Sequence, residues 1–184
     1  MSRQKGQNAG NPTNYSAANK KIASFSSVED FWAIYSHLVR SSDLHPTTQY
    51  SLFRHPITPT WEHPSHLKGG KWSAHLKKNA SSRLWEQLLL ALIGDAFSEI
   101  GDDEVTGITL NVKHGEDVLS VWNRHGTDGR KNLAIKRVLK EIVGVAVNWE
   151  YAVFEEIKEK NTNGNVATTS GAGNGSEKGE KSHH

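Results

Sequence analysis

The sequence predicts an α+β domain, in which helices collect on one face of an antiparallel β-sheet. Three features of the 184-residue chain support this prediction. Apolar residues recur at helical spacing in three segments, and shorter segments between them alternate apolar and polar residues as half-buried strands do. Near the middle of the chain, Gly115 separates two alternating segments, as the turn of a β-hairpin requires. The length fits a single domain.

The predicted helices carry recognisable end signals. The first two begin at serines, which cap helix N-termini well, and the third ends before Gly144, a residue typical of helix C-termini. The second helix is apolar around most of its circumference, so we expect it to lie on the sheet. The three helices cover 27–39, 81–97 and 128–143. In the third, the residues expected to face the core are Leu133, Val138, Leu139 and Ile142, and those expected to face solvent are Arg130, Lys131, Lys136, Arg137 and Lys140.

The predicted strands are short and separated by turn residues. In the second of them, Trp72, Ala74 and Leu76 are expected to point inward, because they alternate with polar residues. Several prolines interrupt the chain between the first two strands and predict a loop there. The strands cover 50–53, 72–76, 105–113, 117–124 and 148–155, and the loop covers 54–70.

Composition limits the class of protein. Residues 1–14 and 161–184 are polar, so we expect both tails to be disordered, with one domain over 15–160. The chain has no cysteine, which excludes disulfides and thiol catalysis. We expect neither a secretory signal nor a membrane span, because no apolar run approaches the ~20 residues that a span needs. A net charge of +2 argues against a broad basic face for nucleic acid, so such a ligand would be small or held by few groups.

Motifs for catalysis are missing from the sequence. It contains no nucleophile elbow, no phosphate-binding P-loop and no zinc-protease motif, so we expect neither an enzyme nor a cofactor. His63 and His66 lie three residues apart with Glu62 beside them, a spacing that could hold a metal. The alternative is an ordinary polar loop, which we favour, and we therefore expect no metal.

Two of the six tryptophans are candidates for binding, whereas the others lie in apolar segments where we expect them to be buried. Trp61 lies in the polar loop, where an indole ring could stack on a planar ligand, and Glu62 beside it could accept two N–H donors from the edge of a base. Trp32 is adjacent to Phe31 on the first helix. Either both rings are buried, or Trp32 is exposed on the same side as Val28 and forms a docking patch. Core positions are predicted for Trp72, Trp85 and Trp149.

Five segments resemble, in order and in spacing, the messenger-RNA cap-binding translation initiation factor 4E family: SSVEDFWAIYSHLVR, YSLF, PTWEHPSHLKGGKW, WEQLLLALIGDAF and GITLNVKHGEDVLSVW. The resemblance runs from about Tyr15 to Tyr151, and its details are most similar to the second class, the 4E homologous protein. It implies a curved antiparallel sheet with three helices on the convex face. It also implies that the family's first strand is missing, because only fourteen polar residues precede Tyr15.

The same resemblance implies a ligand and its contacts. The family binds 7-methylguanosine between two aromatic rings, next to an acid that accepts from the guanine edge, a tryptophan that contacts the N7-methyl group, and basic residues that hold the phosphates. A phosphate-binding lysine of the classical members is Val118 here, and a lysine replaces an arginine at 113, so we expect weaker cap binding than in the classical factor. The matching residues are Tyr15 and Trp61 for the rings, Glu62 for the acid, Trp122 for the methyl contact, and Lys113 and Lys71 for the phosphates.

A second implied surface binds proteins that carry a Tyr-x-x-x-x-Leu-hydrophobic motif. The residues that match it are Val28, Trp32, Glu86, Gln87 and Leu90. We therefore expect a cytoplasmic, monomeric, non-enzymatic protein that binds capped messenger RNA and regulates translation through partners, by repression rather than initiation. The alternative is an interaction protein of the same fold whose cap slot is impaired, because the first strand is missing.

Overall fold

A computed structural model describes residues 20–101, 103–144 and 146–157. The chain divides into two compact units, Met1–Leu38 and Val39–His184. Tyr15 and the predicted tails lie outside the described residues. Among the helices that the structure describes, none combines the length and the apolar character needed to cross a membrane.

The first unit contains one helix, α1 (Val28–Tyr35). The Ser27 side chain caps it by accepting a hydrogen bond of 3.1 Å from the Asp30 N–H, as the sequence predicts. The helix ends before Ser36, short of the predicted end at residue 39. Phe31 is buried against the neighbouring rings, with centroids 5.2–5.3 Å away, whereas Trp32 is 45% exposed. Of the two sequence alternatives, the structure therefore supports an exposed Trp32.

The second unit is built on an antiparallel sheet, which confirms the predicted fold class. Among the described residues the sheet has five strands, in the spatial order β1-β3-β4-β2-β5. The predicted central hairpin is confirmed as β3 and β4, and all five predicted strands occur with their ends shifted by a few residues. The strands are β1 (Thr48–Phe53), β2 (Gly70–Lys77), β3 (Val105–Val112), β4 (Glu116–Asn123) and β5 (Glu150–Val153).

Cross-strand register divides the side chains of the sheet between two faces. Directly paired residues point to the same side, and the next residue along each strand points to the other. One row across four strands consists of Tyr50, Leu110, Leu119 and Ala74. The adjacent row, on the other side, consists of Ser51, Thr109, Ser120 and Ser73. We call the side of the first row the helix face and the other the opposite face.

Two helices of the second unit cover the helix face, α2 (Ser81–Ile93) and α3 (Gly129–Val143). On α2, the Trp85 ring stacks 6.5 Å from that of Tyr50, and on α3 the Lys136 Nζ lies 5.2 Å from the centre of the Trp72 ring. The largest fully buried apolar side chains between the helices and the sheet are Leu88, Ile108, Leu110, Leu119, Ile135 and Leu139. Trp72, Trp85 and Trp149 are buried, as predicted.

Both helices depart from the sequence prediction in part. The helix α2 ends at Ile93 and not at Phe97, because Gly94 terminates it. Ser81 does not cap α2, since its side chain is buried and donates to a carboxylate oxygen of Asp117. In α3, the prediction that Leu133 faces the core is wrong, because that side chain is 69% exposed.

Other predictions for α3 hold only in part. Lys131 and Lys136, predicted to face solvent, are half-buried and contact Glu104 and the Trp72 ring, respectively. Val138 and Ile142, predicted to face the core, are half-buried.

The ends of α3 agree with the sequence prediction. Its N-terminus is capped by Asp128, and its end is marked by Gly144 at a φ of +88°, a conformation that favours glycine. Leu139 is fully buried as predicted, and so is Ile135, which the periodicity analysis had not singled out. Leu133 is about 200° around the helix from Ile135, so the two cannot share the core side.

Two buried carboxylates join the elements of the helix face. Asp117 on β4 accepts from Ser81 and Lys78 at the start of α2. Glu104, just before β3, accepts from the Lys131 Nζ of α3 at 2.8 Å and pairs with the His125 ring at 2.6 Å. Burial alone would raise the pKa of each acid, but these hydrogen bonds outweigh it and lower both pKa values. The two acids are therefore ionised parts of the folded structure.

Candidate functional site

An aromatic and basic cluster lies on the opposite face, where β2 and β4 pair. Trp122 is the register partner of Lys71, whose Nζ lies 5.8 Å from the centre of the indole ring. The ring of Phe53 meets Trp122 edge-on at 5.4 Å. Between them is Gly107, where an added Cβ would lie 2.5 Å from the Phe53 ring, so only glycine fits this position. The local sequence of β3 thus makes room for the aromatic contact.

Lys71 is a cation held in a partly buried position. Burial lowers its pKa, and the positive charge of Lys113 lowers it further. Lys113 follows directly after β3 and is exposed, and by strand alternation it points to the same face. Two cations that repel each other in the free protein would both be stabilised by an anionic group placed between them. The charge of the two lysines therefore suits an anionic group such as a phosphate.

The proline loop beside this cluster is fixed to the sheet by a buried histidine. His66 is fully buried and donates from Nδ1 to the Thr60 carbonyl at 2.7 Å, while its Nε2 lies 2.9 Å from the Thr106 hydroxyl of β3. Burial lowers the pKa of His66, so the ring is neutral at pH 7. Its centroid is 5.0 Å from that of Trp122. The loop is thereby attached to the aromatic cluster.

Both ring nitrogens of His66 thus contact the protein itself, within the loop that the sequence predicts. No group of three or more side chains able to share a metal ion occurs in the part of the chain that the structure describes.

Trp61 and Glu62 are held close to this attachment point. Trp61 directly follows Thr60, the residue whose carbonyl is bound by His66. Its side chain is 44% exposed, and Glu62 is exposed as well. A planar ring and a carboxylate are thus presented at the surface next to a rigid anchor, as ligand stacking and edge recognition require.

The structure brings most of the sequence-predicted ligand residues to one region. Trp122, Lys71 and Lys113 share the opposite face, and the adjacent loop carries the other pair. Val118 also lies on this face and contributes no charge. Tyr15 lies outside the described residues.

Sequence reasoning missed the residues that support the cluster. Phe53 and Phe154 both pack against Trp122, with centroids 5.4 and 4.7 Å away. The Phe154 N–H donates to the Gly69 carbonyl at 3.0 Å, which fixes the end of the loop. Alternation on β1 was the only sequence signal for Phe53. Nothing in the local sequence marks Phe154, because its contacts come from distant strands.

Four of the five residues predicted for protein partners are exposed, two in each unit. On α1, Val28 and Trp32 lie one turn apart and are 52% and 45% exposed. On α2 of the second unit, Leu90 is 43% exposed, Glu86 is exposed and Gln87 is half-buried. Exposed apolar side chains on helix surfaces are suited to binding a partner helix.

The fold and this cluster define the class of protein: a single antiparallel sheet with helices on one face and an aromatic and basic cluster on the other. The family model described as "Eukaryotic initiation factor 4E" matches residues 2–169. The chain therefore belongs to the eukaryotic initiation factor 4E family, which confirms the resemblance found in the sequence.

Individual relatives agree with this assignment. The rice "Eukaryotic translation initiation factor NCBP" (Oryza sativa subsp. japonica) is 43% identical over 121 residues, which is 66% of this chain and 52% of the relative. The human "Eukaryotic translation initiation factor 4E" (Homo sapiens) is 38% identical over 128 residues, covering 67% of this chain and 58% of the relative. The chain thus spans about half the length of the curated relatives it matches.

Solved structures show the same fold. The C. elegans eIF4E-3, solved with the 4E-binding protein Mextli and a cap analog, superposes with a TM-score of 0.76 at 30% identity, covering 83% of this chain and 88% of that one. The Ascaris suum eIF4E-3, solved with an m2,2,7G cap, gives a TM-score of 0.73 at 31% identity, covering 79% of this chain and 83% of that one.

Proposed function

We propose that this chain binds the 7-methylguanosine cap of messenger RNA on the opposite face and regulates translation through protein partners. The observation that carries the proposal is the register pair of Trp122 and Lys71, joined by Lys113 and flanked by the anchored loop of Trp61 and Glu62. Family membership supports it, as do the cap ligands of the two related structures.

The base is recognised by stacking and by its polar edge. Methylation at N7 makes the guanine ring cationic, so it stacks on the electron-rich face of Trp61. The resemblance to the family makes Tyr15 the candidate for the second ring. Each such contact contributes about 0.5–2 kcal/mol. The Glu62 carboxylate accepts from the N1–H and the N2–H of guanine, while Trp122 contacts the methyl group. Losing the paired polar contacts costs about 1–3 kcal/mol, which sets the selectivity for the base.

The phosphates are bound by the two cations. Lys71 and Lys113 lose their mutual repulsion when a negative group lies between them, so binding favours the charged form of Lys71. A lysine makes single contacts where an arginine would make bidentate ones, and Val118 adds no charge. We therefore propose a weaker affinity for the cap than that of the classical factor.

Binding of the cap is tested by tryptophan fluorescence titration with 7-methyl-GTP, and a separate titration with GTP is the control. The methylated nucleotide alone should quench the fluorescence, and Trp61→Leu should remove most of the quenching. Glu62→Ala, which removes the acceptor for the guanine N1–H and N2–H, should weaken the binding of 7-methyl-GTP, while Glu99→Ala, which removes an exposed acid away from the site, should leave it unchanged. Equal binding of 7-methyl-GTP and GTP by the wild type would overturn the proposal.

Partner binding is a second proposed activity, and the exposed Val28 and Trp32 of α1 carry it. A related structure contains a 4E-binding protein, which supports this part of the proposal. A labelled peptide with the Tyr-x-x-x-x-Leu-hydrophobic motif should bind, and Trp32→Ala should abolish the binding. Leu90→Ala tests the proposed α2 residues separately. A peptide in which alanines replace the tyrosine and the leucine is the control, and equal binding of both peptides would contradict the assignment.

The two titrations together separate the proposal from its alternative. Binding of the peptide without binding of the cap would identify an interaction module with an impaired slot. We also propose that this translation-factor homologue acts in the cytoplasm, that it is a monomer, and that it catalyses no reaction.

A further inference from the structure

The outer side of α3 carries a stripe of basic residues around one exposed leucine. Arg130, Leu133, Arg137 and Lys140 recur at spacings of three and four, so they lie within one narrow sector of the helix. They line a common surface depression, together with Ala134 and Lys136. We call these six residues the α3 patch. It is distinct from the proposed cap site, which lies on the opposite face of the sheet.

Leu133 contributes nothing to the core of the domain. At 69% it is the most exposed large apolar side chain among the described residues, while Ile135 and Leu139 on the inner side of α3 are fully buried. A single exposed leucine is common on protein surfaces. This one differs because long cationic side chains surround it and continue its surface with their methylene groups.

The cations of the stripe are not used inside the fold. Arg130, Arg137 and Lys140 make no ion pair with any residue that the structure describes. By contrast, Lys131 of the same helix binds Glu104, and Lys136 lies over the Trp72 ring. Glu141 is the one acidic residue of α3, next to the end of the stripe. The stripe thus concentrates positive charge in a chain whose net charge is only +2.

We propose that the α3 patch docks an acidic amphipathic segment of a partner protein. Carboxylates of that segment pair with Arg130, Arg137 and Lys140, and an apolar side chain packs on Leu133. The guanidinium groups bind carboxylates bidentately, which gives the contact its direction. The patch has no aromatic ring on which the bases of an RNA could stack. The exposed Leu133 instead suits an apolar side chain, so we favour a protein partner over RNA.

The experiment is a peptide-display selection against the full chain. Peptides that bind the wild type are counter-selected against the variant R130E/L133S/R137E, which removes binders of every other surface. The expected survivors carry several acidic residues and bulky apolar residues at helical spacing. A labelled survivor should lose about tenfold in affinity with Arg137→Glu and with Leu133→Ser, and should bind more weakly as salt increases.

A matched control comes from another helix. Arg83→Glu makes the same change of charge at an exposed arginine of α2 and should leave the affinity within about twofold. Circular dichroism of each variant verifies that the helix content of the wild type is retained. The proposal is overturned if the selection yields no acidic peptides, or if their binding survives Arg137→Glu. It is also overturned if an uncapped single-stranded RNA binds the patch and the selected peptides do not.

Discussion

The two faces of the sheet are made from alternate residues of the same strands, yet their chemistry differs. On the helix face, rows such as Tyr50, Leu110, Leu119 and Ala74 pack under α2 and α3. On the opposite face, the corresponding rows are polar or combine aromatic and basic groups, as in the pair of Trp122 and Lys71. One face thus stabilises the fold, while the other places charge and aromatic surface where a ligand can use them.

The difference shows how an antiparallel sheet separates stability from function. Because side chains alternate, a residue on one face can change without moving its neighbour on the other. Charge illustrates this most clearly. The helix face pairs its buried acids Glu104 and Asp117 with cations, whereas the opposite face keeps Lys71 and Lys113 together.

The largest expected effect is on the stability of the helix face. Leu139→Ala on α3 removes a fully buried side chain and should lower the free energy of unfolding by about 2–5 kcal/mol. Leu133→Ala changes the same residue type on the exposed side of the same helix and should cost no more than about 0.5 kcal/mol. Urea unfolding measures both. Equal losses would mean that the assignment of the core side of α3 is wrong.

The next effect concerns the buried acid at the edge of the helix face. Glu104→Gln should lower the free energy of unfolding by about 1–3 kcal/mol at pH 7, because charge-assisted hydrogen bonds from Lys131 and His125 are lost. The pKa of Glu104 is lowered in the folded state, so its contribution is present above the unfolded pKa of about 4.3 and is lost as pH falls through the folded pKa.

Measuring the free energy of unfolding at decreasing pH checks the direction of this effect. The difference between the wild type and Glu104→Gln should shrink progressively as pH falls below about 4.3. Glu99→Gln, at an exposed position, is the control and should show little difference at any pH. A difference that stays constant down to acid denaturation would contradict the role of the ionised carboxylate.

On the opposite face, the expected effect is on binding. Lys71→Met should weaken the affinity for 7-methyl-GTP about 10- to 150-fold at pH 7, since a hydrogen bond to a charged group contributes about 1.5–3 kcal/mol. Burial and Lys113 lower the pKa of Lys71, so the wild type should bind more weakly as pH rises through that pKa. The variant should show a flatter pH profile. Lys77→Met, at the far exposed end of β2, is the control, and a profile unchanged by Lys71→Met would exclude the phosphate contact.

The smallest expected effect lies where the loop meets the sheet. Thr106→Val keeps the shape of the side chain but removes the hydroxyl next to the His66 Nε2, at a cost of about 1 kcal/mol. Hydrogen exchange of the Gly69 amide, which donates to the His66 carbonyl, reports whether the loop loosens. Faster exchange together with a modest loss of cap affinity would connect the anchor to the site. Unchanged exchange would show that other contacts suffice to hold the loop.

Local sequence signals predicted the elements of both faces well. The hairpin of β3 and β4 was predicted from alternation and a glycine turn, and the end of α3 from Gly144. The error at Leu133 has a physical origin, because apolar residues of α3 occur on two sides and spacing alone does not select the core side. Leu139 and Ile135 show which side contacts the sheet.

Residue patterns alone predicted less of the candidate site than of the fold. Trp61 and Glu62 attracted attention because they interrupt a polar loop. The buried role of His66 depends on Thr106, forty residues further along the chain, and the pairing of Lys71 with Trp122 depends on strand register. Such contacts leave no mark on the neighbouring sequence, and only the resemblance to a family connected these positions in advance.

The strand order also constrains how the molecule is made. The first strand, β1, pairs with β3, and β2 pairs with β4 and β5, so neither early strand pairs with the other. During synthesis β1 and β2 therefore leave the ribosome before the described strands that pair with them, β3, β4 and β5. These described pairings form only after the central hairpin has emerged. Until then β1 and β2 lack these partners, which makes protection by chaperones valuable early in synthesis.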